Sequence, residues 1–268
     1  MPDLWNPEAL QAHISQAANT YQHDYLPFKI AVVIFILMVL ALAGHAFLRF
    51  ILTPKKDKSG LAEVRNYLYP IHLRIWHWSN ASLFVALLVS GLVNHLAIGP
   101  YTLKSDLLVF HKICGFLLLF AWVGFLLINL IGGNGHHYII RFKGYIGRCI
   151  KQARFYLYGI FKGEPHAFHS TKESKFNPLQ QVAYLGVMYG LVPLLLITGF
   201  FIQYPALQSV IPQYWLLMLH FILAIVSLLF MVAHMYLCTM GDSVTQTFRA
   251  MVDGYHRHLA DKNAPHHD

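Results

Sequence analysis

The sequence predicts an all-α integral membrane protein whose chain crosses the bilayer five times. Apolar residues make up 56% of its 268 residues and charged residues only 12%, and the mean hydropathy is +0.47. Five stretches are apolar over about twenty residues each, the length at which an α-helix spans the hydrocarbon core. The 20 Lys and Arg outnumber the 12 Asp and Glu, but they are confined to a few polar stretches. We therefore expect a lipid membrane around the chain and no binding of nucleic acid.

The predicted spans set the organisation of the chain. A segment at 1–27 is followed by one span at 28–52, and a domain at 53–255 contains the other four. A polar tail at 256–268 ends the chain, and its histidines are expected at a solvated surface. The five spans are 28–52, 77–98, 107–131, 180–204 and 214–239.

Proline and small residues occur inside two of these spans. Pro193 is expected to kink the fourth span, because proline lacks the N–H that an α-helix needs. The pairs Ser90-Gly91 and Thr198-Gly199 lie within the second and fourth spans. Residues this small allow another helix or a cofactor to approach the backbone closely.

Positive charges orient the spans. Seventeen of the 20 Lys and Arg fall on the side that holds the loop 132–178, and only Lys29, Lys104 and Lys112 fall on the other. Loops rich in Lys and Arg stay in the cytoplasm, so the N-terminus is predicted outside, as an extracytoplasmic segment, and the C-terminus inside. The acidic segment before the first span disfavours a cleaved signal peptide.

The loop 132–178 contains the sequence RFKGYIGRCIKQARFYLYGIFKG. Its mixture of basic and aromatic residues predicts an amphipathic helix that lies in the membrane interface. A solvated basic loop on anionic lipid has the same composition, and the two interpretations remain open.

Two histidines in the fifth span are the strongest functional signal. His220 and His234 are fourteen residues apart, which corresponds to a rise of about 21 Å and nearly a whole number of turns. They therefore share one face of the helix, one near each membrane surface. Ionisable residues inside a membrane are costly and mark functional sites, and two at this separation suggest a pair of cofactors.

Each of these histidines has a candidate partner at its own depth. The second span begins at the inner surface with His77, and the third begins near the outer surface with His111. The predicted pairs are His77 with His234 at the inner level and His111 with His220 at the outer level. Paired neutral imidazoles suit the axial positions of a low-spin haem iron, whereas iron without a porphyrin is disfavoured because no carboxylate accompanies the four histidines. The three cysteines are scattered, with no CxxCH motif, which argues against covalent c-type haem and Cys-ligated iron–sulfur clusters.

The roles of four further histidines stay open at this point. His95 lies near the outer surface and competes with His111 for the outer iron. His45, near the inner end of the first span, has no assigned partner. His136 and His137 follow a glycine-rich turn at the inner surface, where hydrated side chains or contacts to haem propionates are expected.

Arg74 lies one turn before His77 and is a candidate partner for a propionate of the inner haem. An arginine at the cytoplasmic end of a span is also common without any such role, because Lys and Arg are enriched on the cytoplasmic side. The sequence is compatible with both interpretations.

Four segments of the chain resemble one family of membrane proteins. They are RIWHW, FHKICGF, FNPLQQ followed by LLITGF, and LHFILAIVSLLFMVAHMYL. Through them, residues 65–255 resemble the di-haem cytochrome b subunits of formate dehydrogenase, nickel–iron hydrogenase and thiosulfate reductase, which are prokaryotic b561-like membrane anchors. The resemblance implies a four-helix transmembrane bundle that holds two b haems, to which this chain adds one extra N-terminal helix. It assigns the iron ligands to His77, His111, His220 and His234, in agreement with the pairing by depth.

The resemblance also implies a site for menaquinone or ubiquinone near the inner haem. In the formate dehydrogenase branch an Asn-x-x-Gln segment forms this site, and here that segment is Asn177 and Gln180, close to His234. The alternative is that Asn177 only caps the following helix and Gln180 is solvated. Pro178 and Leu179 stand where that branch has small residues, so the shape of the pocket is expected to differ.

These implications define the expected function. The chain would be the membrane-anchoring cytochrome b subunit of a respiratory complex in the prokaryotic cytoplasmic (inner) membrane. It would relay electrons between an iron–sulfur partner subunit and the quinone pool, while a catalytic subunit of the formate dehydrogenase, hydrogenase or sulfur-compound reductase type acts on the primary substrate. A stand-alone di-haem quinol oxidoreductase is the alternative. A haem-free transporter or anchor would leave four buried imidazoles unexplained.

Overall fold

Long helices dominate the computed structural model, which describes residues 26–54, 61–168, 170–171, 174–204, 212–241 and 243–261. Five helical stretches in this part of the chain are long and apolar enough to cross a membrane, and they confirm the five predicted spans. They are α1 (Leu26–Leu52), α2 (Ile71–His95), α3 (Tyr101–Leu130), the stretch Pro178–Gln203 and α7 (Gln213–Leu237). The stretch Pro178–Gln203 consists of α5 (Pro178–Gly186), a π-helix (Val187–Leu191) and α6 (Val192–Gln203).

The remaining elements are short. Two helices, two 3-10 turns and two strands complete the described part of the chain. They are β1 (Leu61–Tyr67), the turn Asn134–Tyr138, α4 (Tyr145–Leu157), the turn Gly159–Lys162, α8 (Gln246–Asp253) and β2 (Tyr255–Asp261). The N-terminal segment before residue 26, the connection 205–211 and the end of the tail from residue 262 lie outside the described residues.

Two helices begin earlier than the sequence predicted. The second span was expected from residue 77 and the third from residue 107, but α2 begins at Ile71 and α3 at Tyr101. A proline precedes each helix, and the carbonyl of Pro70 accepts the first helical N–H groups of α2. The added first turns carry polar residues, so hydropathy had marked the expected membrane depth and not the helix start.

The chain forms two compact units. The first contains the described residues within 26–36, 76–131 and 186–230, and the second those within 37–75, 132–185 and 231–261. In the first unit α2 packs on α3 through the indole of Trp76, which donates to the carbonyl of Ala121 at 2.9 Å and stacks on Phe125. Phe125 also contacts the ring of Tyr189 edge-on, with 5.4 Å between ring centroids.

The π-helix accommodates Pro193 in the fourth span. In a π-helix each N–H bonds the carbonyl five residues earlier, and the N–H of Val192 does so with Val187. Pro193 has no N–H to give to Met188, and the carbonyl of Met188 instead accepts the indole N–H of Trp122 at 2.7 Å. A side chain of α3 thus satisfies a backbone group that would otherwise be unpaired in hydrocarbon.

A two-stranded sheet in the second unit was not expected from the sequence. Strands β1 and β2 pair antiparallel, from Leu61 opposite Asp261 to Tyr67 opposite Tyr255. The first residues of the predicted polar tail, among them His256 and His258, therefore belong to a paired strand.

Gly254 makes the turn from α8 into β2. Its φ is 90°, a left-handed conformation that favours glycine, and its carbonyl accepts the N–H groups of Leu68 and Tyr69 at 3.0 and 3.1 Å. A Cβ at this position would lie 2.7 Å from the carbonyl oxygen of Tyr69. The turn therefore requires glycine.

The amphipathic helix predicted within the loop 132–178 is present as α4. Its Phe155 forms a buried cluster with Ile160 and Met240, while the charged residues Lys151 and Arg154 are on its exposed side. The apolar face of α4 thus packs within the second unit.

Candidate functional site

His111 of α3 has a fixed hydrogen bond on one ring nitrogen. Its Nδ1 lies 2.9 Å from the hydroxyl of Ser90 on α2. That hydroxyl donates its own proton to the carbonyl of Ala86 at 2.7 Å, so its oxygen is an acceptor for the imidazole. In a neutral ring the only N–H is then on Nδ1, and Nε2 carries a lone pair that can bind a metal.

His220 of α7 repeats this arrangement with a residue of α6. Its Nδ1 lies 2.8 Å from the hydroxyl of Thr198, which donates to the carbonyl of Leu194 at 2.8 Å. The Nε2 atom of His220 is thereby also the basic nitrogen of a neutral ring.

A glycine follows each of the two hydroxyl residues and lets the histidine bonded to that hydroxyl approach the helix backbone. A Cβ placed on Gly91 would lie 3.2 Å from Cε1 of His111, and one on Gly199 would lie 3.4 Å from Cε1 of His220. The small pairs Ser90-Gly91 and Thr198-Gly199 therefore serve a close approach, as the sequence predicted.

Both imidazoles line one cavity of about 350 Å³ in the first unit. Their ring centroids are 6.4 Å apart, with 69° between the ring planes. Metal–imidazole bonds are about 2 Å long, so two rings on opposite sides of one ion have centroids about 6 Å apart once the distance from nitrogen to ring centre is added. The separation therefore fits a single metal ion held between the two Nε2 atoms.

The cavity lining fits a large apolar ligand. Side chains such as Phe84, Leu88 and Phe200 form most of the wall, and Lys112 and Gln203 are among its few polar members. Within the described residues no cluster of three or more His, Cys, Asp and Glu could hold a bare metal ion. Two imidazoles in an apolar cavity match a haem, whose porphyrin supplies the other four ligands and whose carboxylates need a positive or polar partner.

The two candidate ligands of the inner haem, His77 and His234, belong to different units. His77 lies in the first unit, half-buried on α2 beside Trp78. His234 lies in the second unit, where its Nε2 is 3.9 Å from the thiol of Cys238 and its ring is 6.0 Å from that of Tyr184. The pairing of His77 with His234 stays a prediction. Arg74 donates to the carbonyl of Val252, and its contact to a propionate also stays a prediction.

Asn177 and Gln180 form a reciprocal cap at the start of α5. The backbone N–H of Gln180 donates to Oδ1 of Asn177 at 2.9 Å, and the backbone N–H of Asn177 donates to Oε1 of Gln180 at 3.1 Å. The amide of Asn177 also donates to the hydroxyl of Tyr156 at 3.0 Å. The helix cap is thus present, with Gln180 taking part in it, and the assignment of both residues to a quinone stays a prediction.

Both ring nitrogens of His45 have hydrogen-bond partners in the structure, whereas the sequence indicated none. Its Nε2 lies 2.8 Å from the carbonyl oxygen of Tyr156, and its Nδ1 lies 2.5 Å from the hydroxyl of Tyr236. A carbonyl only accepts, so Nε2–H donates, and in the neutral ring Nδ1 accepts from the phenol. Both nitrogens are engaged by protein groups, so His45 acts here as a link from α1 to α4 and α7.

His95, His136 and His137 make other contacts. His95 stacks on Phe221 with 4.3 Å between ring centroids and also contacts Phe28. His136 has Nδ1 2.7 Å from the carbonyl oxygen of Gly133, and the adjacent His137 is buried. The ring paired with His220 is that of His111.

Sequence reasoning missed the hydroxyl partners of the two histidines. It singled out Ser90 and Thr198 for their small size only. A usable signal was their spacing, because each hydroxyl residue precedes a glycine and stands 21 or 22 residues before its histidine.

Five apolar spans and a pair of imidazoles at one apolar cavity are the features of a membrane cytochrome of the b type. The chain belongs to the family described as prokaryotic cytochrome b561, which it matches over residues 68–254. It is 51% identical over 256 residues to the "Putative cytochrome YdhU" of Escherichia coli (strain K12), covering 94% of this chain and 97% of that protein. The match to this relative leaves out so few residues that it includes α1. The family match, in contrast, begins after α1. No solved structure matches the chain.

Membership of this family confirms several expectations. The chain is a multi-pass membrane protein and a transmembrane helical bundle, its family is that of b-type cytochromes, and the haem that the family implies is haem b. The family match begins and ends close to the limits 65–255 of the resemblance read from the sequence.

Proposed function

We propose that this cytochrome is the membrane-anchoring subunit of a respiratory oxidoreductase complex. It relays electrons through two b haems between an iron–sulfur partner subunit and the membrane quinone pool, and a separate catalytic subunit acts on the primary substrate. The observation that supports the haem relay most strongly is the pair His111 and His220, with both Nδ1 atoms bonded to hydroxyls and 6.4 Å between ring centroids. The cytochrome name of its relative in Escherichia coli agrees with a haem-carrying chain.

The residues of the first unit would hold one haem in a defined way. When bound there, a b haem supplies reversible one-electron chemistry at its iron. His111 and His220 would supply the two nitrogen ligands, the apolar wall would exclude water, and Lys112 and Gln203, which line the same cavity, would be the polar partners for the haem carboxylates. A second haem is assigned to His77 and His234, from depth along the spans and from the family resemblance.

The quinone site is assigned to the start of α5. Asn177 commits its Oδ1 to the cap and its amide to Tyr156, so its role is to position. Gln180 commits its Oε1 to the cap, while no hydrogen bond engages its Nε2 within the part of the chain that the structure describes. The amide of Gln180 is therefore the donor that we assign to a carbonyl oxygen of menaquinone or ubiquinone, with His234 close to it in the proposed site.

Tyr156 supports this site by remaining a neutral phenol. Burial raises the pKa of Tyr156 above its usual value of 10. Its hydroxyl therefore keeps its proton at neutral pH and accepts the amide hydrogen of Asn177 without becoming charged.

The proposed location is the prokaryotic cytoplasmic (inner) membrane, with the N-terminus outside and the C-terminus in the cytoplasm. The support is the distribution of Lys and Arg, of which only Lys29, Lys104 and Lys112 fall on the outer side. The His111–His220 pair then lies at the outer level, where the iron–sulfur partner would dock.

Spectra and co-purification test the proposal. Dithionite-reduced minus oxidised spectra of the purified protein should show a b-type α-band with two haems per chain, and absence of the band would contradict any haem role. Gentle purification of a tagged chain from its native membrane should bring down an iron–sulfur protein. A chain that purifies alone and still oxidises quinol with a small soluble oxidant would instead indicate the stand-alone di-haem quinol oxidoreductase.

A further inference from the structure

The two hydroxyl–imidazole pairs have the same design on different helices. Ser90 of α2 serves His111 of α3, and Thr198 of α6 serves His220 of α7. Each hydroxyl also lies near two carbonyls of its own helix, at positions i−4 and i−3. The hydroxyl proton is therefore used inside the helix, and the oxygen is left to accept from the imidazole.

This arrangement is buried and cannot readily be replaced by water. Ser90 is 1% exposed and Thr198 is 4% exposed. The carbonyl of Leu87 is also within hydrogen-bond reach of the His111 ring, and that of Leu195 is within reach of the His220 ring. Loss of a hydroxyl would leave the Nδ1–H of its histidine with this carbonyl alone, which changes the direction and the strength of the hydrogen bond to the ring.

The hydroxyls also change the electronic character of the rings. Each is polarised by the carbonyl to which it donates, which makes its oxygen a stronger acceptor. A strong acceptor at Nδ1–H draws the proton away from the ring and increases the basicity of Nε2. A more basic ligand stabilises ferric iron over ferrous iron, because the ferric ion carries one more positive charge.

We propose that Ser90 and Thr198 are positioning residues that lower the reduction potential of the haem bound by His111 and His220. Each hydroxyl fixes the tautomer of one axial histidine and raises its basicity, so the two act in the same direction on one iron. The inference rests on the proposed function, since it takes the two histidines as haem ligands. It adds that a hydroxyl on the neighbouring helix, and not only the histidine itself, determines the potential of this haem.

Ser227 provides a matched control. It is 3% exposed, lines the same cavity and donates to the carbonyl of Leu223 at 3.0 Å. Its hydroxyl is thus bonded within its helix as those of Ser90 and Thr198 are, but no contact to either imidazole is found among the described residues.

The test is a redox titration of the purified protein followed at the α-band, with haem content measured beside it. Ser90→Ala and Thr198→Val should each retain two haems and raise the midpoint of one of them. The expected change in the ferrous-to-ferric ratio at a fixed ambient potential is a few-fold to tenfold, and tenfold corresponds to about 59 mV for one electron. The double variant should show a larger shift, and Ser227→Ala a smaller shift than either single variant, because its hydroxyl contacts neither imidazole.

Variants that keep the hydroxyl separate its chemistry from its shape. Ser90→Thr and Thr198→Ser should retain the haem and a midpoint close to that of the parent. If Ser90→Ala and Thr198→Val shift neither midpoint, or if the hydroxyl-keeping variants shift it or lose the haem as the apolar ones do, the inference is wrong. Failure of the haem assignment is distinct, because the parent protein would then show no b-type α-band, or His111→Ala and His220→Ala would retain both haems.

Discussion

Replacing Gly91 by alanine should press directly on the imidazole of His111. The new Cβ would lie 3.2 Å from Cε1 of that ring, which is tighter than an ordinary contact, and 3.6 Å from its Nδ1. The ring cannot easily retreat, because the adjacent Ser90 holds its Nδ1 at 2.9 Å. Gly91→Ala should therefore move the ring by a few tenths of an ångström and disturb the site for the iron.

The size of this effect follows from two opposing contributions. Overpacking in a well-packed interior costs about 1–3 kcal/mol, whereas exchanging glycine for alanine inside a helix gains about 0.5–1 kcal/mol. Gly124→Ala isolates the gain, because Gly124 also lies inside a membrane-spanning helix and nothing lies within 4 Å of its Cβ. Gly91→Ala should accordingly be less stable than Gly124→Ala by about 1–3 kcal/mol.

Gly199→Ala gives an intermediate case. Its Cβ would lie 3.4 Å from Cε1 of His220, at the edge of ordinary contact, so its cost should be smaller than that of Gly91→Ala. Equilibrium unfolding in mixed micelles, with haem content measured on the same samples, gives both the order and the size. Gly91→Ala as stable as Gly124→Ala, with unchanged haem content, would refute the close approach of His111 to α2.

Two further predictions concern the second unit. His45→Ala should destabilise the protein by about 1–3 kcal/mol, because two hydrogen bonds to tyrosines on other helices are lost; unfolding in micelles measures this against Gly44→Ala on the same helix, and equal stability of the two variants would contradict the linking role of α1. Arg154 lowers the pKa of Glu164 below its usual value of 4.5. The ion pair therefore stabilises the fold at pH values above 4.5, and this stabilisation is lost as the pH falls through the lowered pKa. The melting temperature of Glu164→Gln should therefore be lower than that of the parent at pH 7 and converge with it in acid, whereas a difference that persists in acid would exclude the ion pair as its cause.

The number of spans was predictable from the sequence, while their ends were only partly so. Uninterrupted apolar stretches identify segments that suit hydrocarbon, and all five are helices. Hydropathy does not report a helix that continues beyond the apolar stretch, which is why α2 and α3 begin about six residues early, each after a proline.

The sheet of β1 and β2 shows a different limit. Its strands lie about 190 residues apart in the sequence, and their sequences are polar and mixed. Such pairing depends on long-range packing, which a local pattern of hydropathy does not record. Local hydropathy does not show the π-helix either, because it depends on Pro193 together with a tryptophan on α3.

The proximity of His111 and His220 was predictable from the sequence, while the pairing of His77 with His234 stays a prediction. Depth along each span was enough to pair His111 with His220, because both lie near the same predicted surface. The depth of a residue along its span does not tell how one helix is rotated against another. The hydroxyls of Ser90 and Thr198 were therefore not predicted as partners of the histidines. For the same reason His45 had no partner until the structure placed Tyr156 and Tyr236 against it.

Haem content in single histidine variants tests the central claim most directly. Pyridine haemochrome measured per polypeptide should show that His111→Ala and His220→Ala each lose the same one of two haems, recognised by its midpoint potential. His95→Ala, which removes a ring stacked on Phe221, should keep both. Full haem content in His111→Ala or His220→Ala, or loss of different haems from the two, would contradict a shared site between α3 and α7.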